Sequence, residues 1–130
     1  MGAYGDDDGG TNSGSAYVFM RSGTFWSQQV KLTASDATAG DYFGVSVSIS
    51  GDYAIVGAYR DDGDGSDSGS AYVFMRSDTT WSQQAKLTAF DAAAGDEFGF
   101  SVSISGDYAI VGAWCDDDGG TDSGSAYIFE

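Results

Sequence analysis

Large apolar residues alternate with small ones along several short segments of this chain. In residues 43–50 every second residue is large and apolar, and the residues between them are glycine or serine. A period of two predicts a β-strand with one buried face. Residues 53–58 are almost continuously apolar, which is typical of a strand covered on both faces. The Gly51-Asp52 pair between these segments predicts a tight hairpin turn.

Two more strands are predicted in the same unit. Residues 70–75 form an apolar third strand, and an acidic loop separates it from the second. The more polar residues 81–88 form a fourth strand, which we expect at the outer edge of the sheet because Lys86 would oppose edge-to-edge pairing. A short linker, residues 91–97, then leads into Phe98. The unit is therefore predicted to be a sheet of four antiparallel strands.

This unit recurs with a period of 55 residues. Residues 2–56 and 57–111 are identical at 43 positions and differ at 12, and residues 112–130 begin a third copy. A solenoid coil usually takes about 20–45 residues, which is too short for four strands. A propeller blade of four antiparallel strands fits the period better. The fold class is therefore predicted to be all-β, a β-propeller built of four-stranded antiparallel blades.

The phase of the repeat divides the chain into three parts. Residues 1–42 are predicted to form a partial blade of third and fourth strands, residues 43–97 a complete blade, and residues 98–130 a partial blade of the first three strands. Partial blades leave unpaired edges, which favour pairing with another chain. We therefore expect a homo-oligomer that closes the propeller head to tail.

The same phase arithmetic limits the size of this oligomer. Each chain adds two net blades, so the expected rings are a six-bladed trimer or an eight-bladed tetramer. Residues 1–20 duplicate the phase of residues 111–130. At each junction either residues 15–20 or residues 125–129 are expected to be displaced from the one third-strand position. Both alternatives stay open.

The residues at the strand starts and turns resemble a known repeat. The match consists of Phe43-Gly44-x-Ser46-Val47, Gly51-Asp52 and Ile55-Val56-Gly57-Ala58, and it recurs at Phe98-Gly99-x-Ser101-Val102, Gly106-Asp107 and Ile110-Val111-Gly112-Ala113. These segments resemble the FG-GAP repeat of integrin alpha-subunit propellers and of many bacterial extracellular proteins. The resemblance implies propeller blades, a secreted or cell-surface parent protein, and a scaffold or adhesion-type binding role.

One part of the integrin pattern is missing. Integrin-type blades often carry a calcium loop between the first and second strands. Here that connection is only Ser50 to Tyr53, which is too short to wrap a cation. The resemblance therefore does not imply calcium at the position that is usual in that family.

The charge balance narrows the possible partners. The chain has 20 acidic residues, five basic residues and no histidine, for a net charge of −15. Such a surface repels phosphate backbones and anionic lipids, so nucleic acid is not an expected partner. The contents of 15% aromatic and 42% hydrophobic residues favour a folded chain over a disordered acidic one. No apolar run approaches a membrane span, and no signal peptide opens the chain, so we expect no membrane insertion.

The acidic loops between the second and third strands are the candidate metal sites. Ca²⁺ prefers about six to eight oxygen ligands on a flexible backbone, and these loops offer aspartates and glycines. Two interpretations stay open: a bound divalent cation, with Ca²⁺ the only cofactor expected, or soluble turn-forming residues. The candidate ligands are Asp6, Asp7, Asp8, Asn12, Asp61, Asp62, Asp64, Asp67, Asp116, Asp117, Asp118 and Asp122.

Tryptophans form the second candidate site. Trp26 and Trp81, with Tyr17 and Tyr72, would suit a sugar-binding face, because aromatic planes stack on pyranose rings. The alternative is that they pack in the core between blades. Catalysis has little support, since there is no histidine and no Cys-His or Ser-His pair, so no catalytic residue is expected. The expected function is thus a non-catalytic module whose partners are its own copies and a protein ligand, with a lectin-like propeller as the alternative.

Overall fold

A computed structural model describes residues 1–130, and every regular element in it is a β-strand. The first sheet has β1 (Gly2–Ala3), β2 (Ser15–Ser22) and β3 (Phe25–Leu32). The second sheet has β4 (Val47–Ser50), β5 (Tyr53–Ala58), β6 (Ser70–Ser77) and β7 (Thr80–Leu87). The third sheet has β8 (Phe98–Ser105), β9 (Tyr108–Ala113) and β10 (Ser125–Phe129). The prediction of an all-β chain of antiparallel sheets is confirmed.

The second sheet has the predicted strand order, β4-β5-β6-β7. Its first strand differs from the prediction, because β4 begins at Val47 rather than Phe43. The backbone is bent at Gly44, where φ is +97°. The Phe43 N–H donates to the Ser13 carbonyl beside the first sheet at 3.0 Å, while the Gly44 N–H still donates to the Gly57 carbonyl of β5 at 2.9 Å, so residues 43–46 run beside β5 as an irregular segment that also contacts the first sheet.

The first sheet also contains the end of a second strand, as the phase of the repeat indicates for residues that align with 57–58. In β1, Gly2 pairs with Ala16 and Ala3 with Ser15. The Met1 carbonyl also accepts a hydrogen bond from the Tyr17 N–H at 2.7 Å. Residues 1–3 therefore form the end of a second strand, in addition to the third and fourth strands expected there.

The hydrophobic core lies between the sheets, in two separate clusters. The first sheet contributes Ala16, Leu32 and Ala34 to the first cluster, and the second sheet contributes the larger aromatic residues Phe43 and Tyr72. The second cluster joins the second and third sheets in the same way, through Ala71, Ala89 and Phe98 among others. A shift of 55 residues converts most of the first cluster into the second, so one interface is used twice.

The β5 strand shows why its sequence is continuously apolar. Ala54, Val56 and Ala58 belong to the cluster facing the first sheet, while Ile55 belongs to the cluster facing the third. All four side chains are buried, which confirms the prediction of a strand covered on both faces. The equivalent strand β9 is covered on one face only, and its Ile110 is 45% exposed.

Glycines let neighbouring sheets approach through their backbones. A Cβ added to Gly57 would lie 1.9 Å from the Gly99 carbonyl oxygen, and one added to Gly99 would lie 2.2 Å from the Ser70 carbonyl oxygen. Gly99 also has φ +95°, a region that residues with a Cβ rarely adopt. The same contact occurs one repeat earlier, between Gly2 and Gly44. The sheets can therefore lie this close only where both contacting segments have glycine.

We expect Gly99→Ala to lower the free energy of unfolding by about 3 kcal/mol or more, since left-handed strain and a backbone clash add together. The matched control is Gly106→Ala. Gly106 also has a positive φ, +55°, but its added Cβ would meet nothing within 4 Å. The control should cost only about 1–2 kcal/mol. Urea unfolding at one fixed protein concentration measures both values, and equal costs would contradict the close-approach argument.

Candidate functional site

The acidic loops fasten each sheet to the linker of the next one. The Asn12 and Ser13 carbonyls accept hydrogen bonds from the N–H groups of Tyr42 and Phe43 at 3.1 and 3.0 Å. The Asp67 and Ser68 carbonyls do the same for residues 97 and 98, at 3.1 and 2.9 Å. The loops therefore have a structural task at the junction between sheets, whatever they bind.

The aspartates of these loops bond to the loops themselves. Asp7 Oδ1 accepts the N–H of Asn12 at 2.7 Å, and Asp62 Oδ1 accepts the N–H of Asp67 at 2.8 Å. Asn12 and Asp67 have φ values of 57° and 53°, a region that Asn and Asp tolerate better than other side chains. The third loop has the same bond, from the Asp122 N–H to Asp117 Oδ1. Turn formation thus accounts for many of the candidate ligands.

The first aspartate of each loop turns toward the sheet. Asp6 Oδ2 accepts hydrogen bonds from the Ser15 hydroxyl at 2.7 Å and the Tyr17 hydroxyl at 3.1 Å. Lys31 Nζ lies 2.8 Å from the same oxygen and also pairs with Asp8. The hydrogen bond with Lys31, followed by that with Ser15, holds the pKa of Asp6 well below its usual range.

The candidate ligands do not converge on a common point. No group of three or more acidic, histidine or cysteine side chains is arranged to hold a metal ion. Among the candidates, Asp62, Asp64, Asp117 and Asp118 lie on the exposed rims of their loops. In this arrangement the residues do not fit a calcium site, and calcium binding stays a prediction that needs the loops to rearrange.

A polar network crosses the interface between the first and second sheets. The buried Tyr72 hydroxyl bonds to Asp61 of its own sheet and to Asp36 Oδ1, 2.8 Å away, in the linker that follows β3. Lys86 Nζ lies 2.6 Å from Asp36 and 2.8 Å from Asp61. Burial, then the hydrogen bond to Asp61, raises the pKa of Tyr72. Burial opposes ionisation of Asp36, but its bonds with Lys86 and Tyr72 prevail and lower its pKa.

The two outer sheets each hold an incomplete version of this network. The first sheet has Tyr17, Asp6 and Lys31, but no aspartate in the position of Asp36. In the third sheet the Tyr127 hydroxyl bonds to Asp116 at 2.7 Å and to Asp91 at 2.8 Å, and no lysine is present. There the charge of Asp116 raises the pKa of Asp118. Each outer sheet lacks the group that the other one has.

The structure places the two candidate tryptophans in different surroundings. Trp81 packs against the first core cluster, and its Nε1 donates to Gln29 Oε1 of the first sheet at 2.7 Å. Trp26, one repeat earlier, is 67% exposed. This packing favours the interblade alternative for Trp81. Sugar binding by either residue stays a prediction.

An aromatic row that the sequence analysis did not single out runs across all three sheets. Its ring centroids are separated by 6.1, 5.6, 5.4 and 5.1 Å in sequence, and the Arg60 guanidinium lies over two of the rings. Three of its members follow the Gly-Ala pair of each copy. An aromatic residue that recurs at this position is the sequence pattern from which the row could have been predicted. The row consists of Tyr4, Tyr42, Tyr59, Phe100 and Trp114.

The chain is thus built of repeated antiparallel sheets that pack face to face through glycine contacts. The FG-GAP repeat family matches residues 26–74 and 81–129, which together make up most of the chain. The chain belongs to this family, and the resemblance seen in the sequence is confirmed. A search of curated proteins found no match. None of the elements is a helix long and apolar enough to cross a membrane.

We expect Tyr72→Phe to lower the free energy of unfolding by about 1–3 kcal/mol, because the carboxylates of Asp36 and Asp61 both lose the tyrosine hydroxyl as a partner. The control is Tyr17→Phe in the incomplete network, which should cost about 0.5–1 kcal/mol.

The loss should also depend on pH. Since the folded-state pKa of Asp36 is lowered, its contribution is present above the unfolded value of about 3.9 and disappears as the pH falls through the folded value. Urea unfolding from neutral pH to below about pH 4 should therefore bring wild type and Tyr72→Phe closer together. A gap that stays constant or widens in acid would contradict this assignment.

Proposed function

We propose that this chain is a non-catalytic binding module that self-assembles into a closed β-propeller. The observation that carries the proposal is the repetition of one interface within the chain. Six of the nine residues of the first core cluster recur 55 positions later as buried residues of the second, and the counterparts of the other three pack against it while partly exposed. A third and a fourth use of that interface would need another copy of the repeat, and a second chain can supply it.

The open faces of the outer sheets support head-to-tail assembly. Ile110 is 45% exposed, whereas Ile55, its counterpart one repeat earlier, is fully buried between sheets. On the other outer sheet Phe19 is exposed, whereas its counterpart Phe74 is buried. The third sheet thus exposes the face that the second sheet buries against its following neighbour. The first sheet exposes the face that the second sheet buries against its preceding neighbour. Contacts between unlike faces generate rings when the rotation closes.

The repeat arithmetic and the family set the expected ring and its location. Each chain adds two blades, so we propose a six-bladed trimer or an eight-bladed tetramer. The FG-GAP membership supports a parent protein that is secreted or on the cell surface, in a scaffold or adhesion role. A non-catalytic role is supported by the lack of histidine and by loop aspartates that bond to the protein itself.

A lectin-like function is the alternative, and the aromatic row favours it more than the tryptophans do. Tyr4, Phe100 and Trp114 are exposed, in a surface rich in carboxylates. Aromatic faces stack on the apolar faces of sugars, and carboxylates accept hydrogen bonds from hydroxyl groups. Glu97 is one such carboxylate next to the row, because its Oε2 accepts the Trp114 indole N–H at 2.6 Å.

Self-assembly predicts a solution mass of three or four times the 13.5 kDa of one chain, measured by light scattering at micromolar concentration. Ile110→Ser should shift the protein to monomers, since it removes an apolar side chain from the joining face. The control is Phe25→Ser. Phe25 is 78% exposed and stands where Thr80, which is also exposed, stands in the second sheet. A folded wild-type monomer would overturn the proposal.

The lectin alternative predicts binding on a glycan array. If the row binds sugar, Trp114→Ala should weaken binding by about 2- to 10-fold, because one stacking contact is lost. If the tryptophans of the third and fourth strands' hairpin bind the sugar, Trp26→Ala and Trp81→Ala should weaken binding instead. Phe90→Ala removes an exposed aromatic residue outside the row and serves as the control. No binding to any glycan by the wild type would eliminate this alternative.

Calcium ordering of the acidic loops predicts a higher melting temperature in calcium. At a free concentration about 100 times Kd, a ligand that binds only the native state adds about 2.7 kcal/mol. Sodium chloride at equal ionic strength is the control, because screening of the loop charges would raise stability in either salt. Equal shifts in the two salts, with no heat of binding by calorimetry, would rule out calcium ordering.

A further inference from the structure

The junction between two copies has features beyond simple association, and the following inference rests on the proposed self-assembly. Each outer sheet has a gap next to it. A groove of about 240 Å³ lies beside β2 and is lined by Val18, Val47 and Ile49. A cavity of about 470 Å³ lies beside the third sheet and is lined by Val73, Gln84 and Phe129. The internal interfaces show what would fill each gap.

The groove beside β2 lies where a complete first sheet would have its first and second strands. Val102 and Ile104 pack into the second core cluster with Ile55 of β5. Val47 and Ile49, one repeat earlier, are exposed because no strand equivalent to β5 stands before them. The β9 strand of a second copy carries Ile110, the counterpart of Ile55, on its open face. The two apolar surfaces are therefore complementary.

The cavity beside the third sheet lies where a complete sheet would have its fourth strand. In the first interface that strand supplies Trp81, whose indole N–H donates to Gln29. Gln84, the counterpart of Gln29, lines the cavity without such a partner. Trp26 of a second copy is exposed and would occupy this position with its N–H directed at Gln84.

The polar networks complement each other in the same orientation. Asp36 bonds to both Tyr72 and Lys86 across the first interface. Asp91, its counterpart, has Tyr127 but no lysine, whereas Tyr17 and Lys31 of the first sheet have no such aspartate. Joining Asp91 of one copy to Tyr17 and Lys31 of the next completes the network of the interior. Apolar and polar features thus agree on one partner and one direction.

Both third strands, β2 and β10, belong in the same position of this junction, so one must leave. The β2 strand is held by β3 from Ala16–Leu32 to Ser22–Phe25 and by the bonds of Ser15 and Tyr17 to Asp6. The β10 strand pairs with β9 alone, and its Ala126 and Ile128 are exposed. Less pairing and less burial are lost when β10 leaves.

We propose that the copies join by strand exchange, in which β10 is released and β9 pairs with β2 of the next copy. The internal register Tyr53–Met75 and Ile55–Val73 then places Tyr108 opposite Met20 and Ile110 opposite Val18. The inner edge of β2 beyond Tyr17 has no partner strand in the single chain, so it can accept β9. The two-residue β1, which lies opposite Ser15 and Ala16, gives way to the end of β9.

Cysteine cross-linking in a Cys115→Ser background tests the exchange. Val18→Cys with Ile110→Cys should form disulfides between chains, because directly opposed residues of antiparallel strands lie within disulfide range. A non-reducing denaturing gel should then show a ladder of covalent oligomers that ends at the ring size. The matched pair Ile110→Cys with Ile128→Cys reports the pairing of a single chain, and it should form no internal disulfide in the assembled fraction.

The outcomes separate the exchange from the assembly itself. An assembled protein in which only the 110–128 pair cross-links would overturn the exchange while leaving self-assembly intact. A monomer by light scattering would overturn both. If the cysteine variants do not fold, hydrogen exchange of the wild-type ring decides. Under the exchange, amides of residues 125–129 should exchange at least about tenfold faster than those of residues 18–20, and the reverse order would contradict it.

Discussion

The close approach of glycine backbones between neighbouring sheets is the contact on which the rest of this structure depends. Gly57 and Gly99 bring two sheets together at a distance that no Cβ would permit. Once the backbones meet there, the alanines of β5 and β9 can pack beneath the aromatic residues Phe43 and Phe98. The small and the large residues of each interface are therefore two parts of one arrangement.

That approach also determines where the polar groups lie. With the sheets this close, the acidic loops reach the next linker and bond to it through their carbonyls. The tyrosine of the third strand is buried at the same junction, and a buried hydroxyl needs partners. Asp36 and Asp61 supply them from the two sides of the interface, and Lys86 pairs with both aspartates. Carboxylates that look like metal ligands in the sequence are thus largely occupied by the protein itself.

Each interface forms between two neighbouring sheets, and the same residues form it in each repeat. One chain can therefore contain two complete interfaces between its sheets and two apolar outer faces that have no neighbour. The inner strands of the second sheet are covered on both faces because this sheet has a neighbour on each side, and only its β4 borders the open groove. The first and third sheets have a neighbour on one side only, so identical residues are buried in one copy and exposed in another. Ile55 and Ile110 illustrate this, as do Trp81 and Trp26. The burial of a side chain here depends on its neighbouring repeat as much as on its own sequence.

Much of the fold was legible from the sequence because its signals are local and repeated. Alternating residues in β8, the continuous apolar run of β5 and the turn at Gly51 each specify a strand or a hairpin without reference to distant residues. Two in-phase copies then identified the sheet and the family. Phe43 and Phe98 both bond to the preceding sheet, and the first strand of each sheet is irregular just after them; these contacts join distant residues and no local pattern encodes them.

The candidate sites were harder to predict from the sequence, because they depend on contacts between distant residues. Sequence determined that the loops are acidic, that tryptophans recur with the repeat, and that no histidine is available. Only the tertiary structure decided that Asp6 and Asp61 turn toward lysines, that Trp81 packs against Gln29, and that five aromatic residues form one row. Those outcomes depend on which sheets become neighbours, and neighbours are chosen by packing over the whole chain rather than by any one segment.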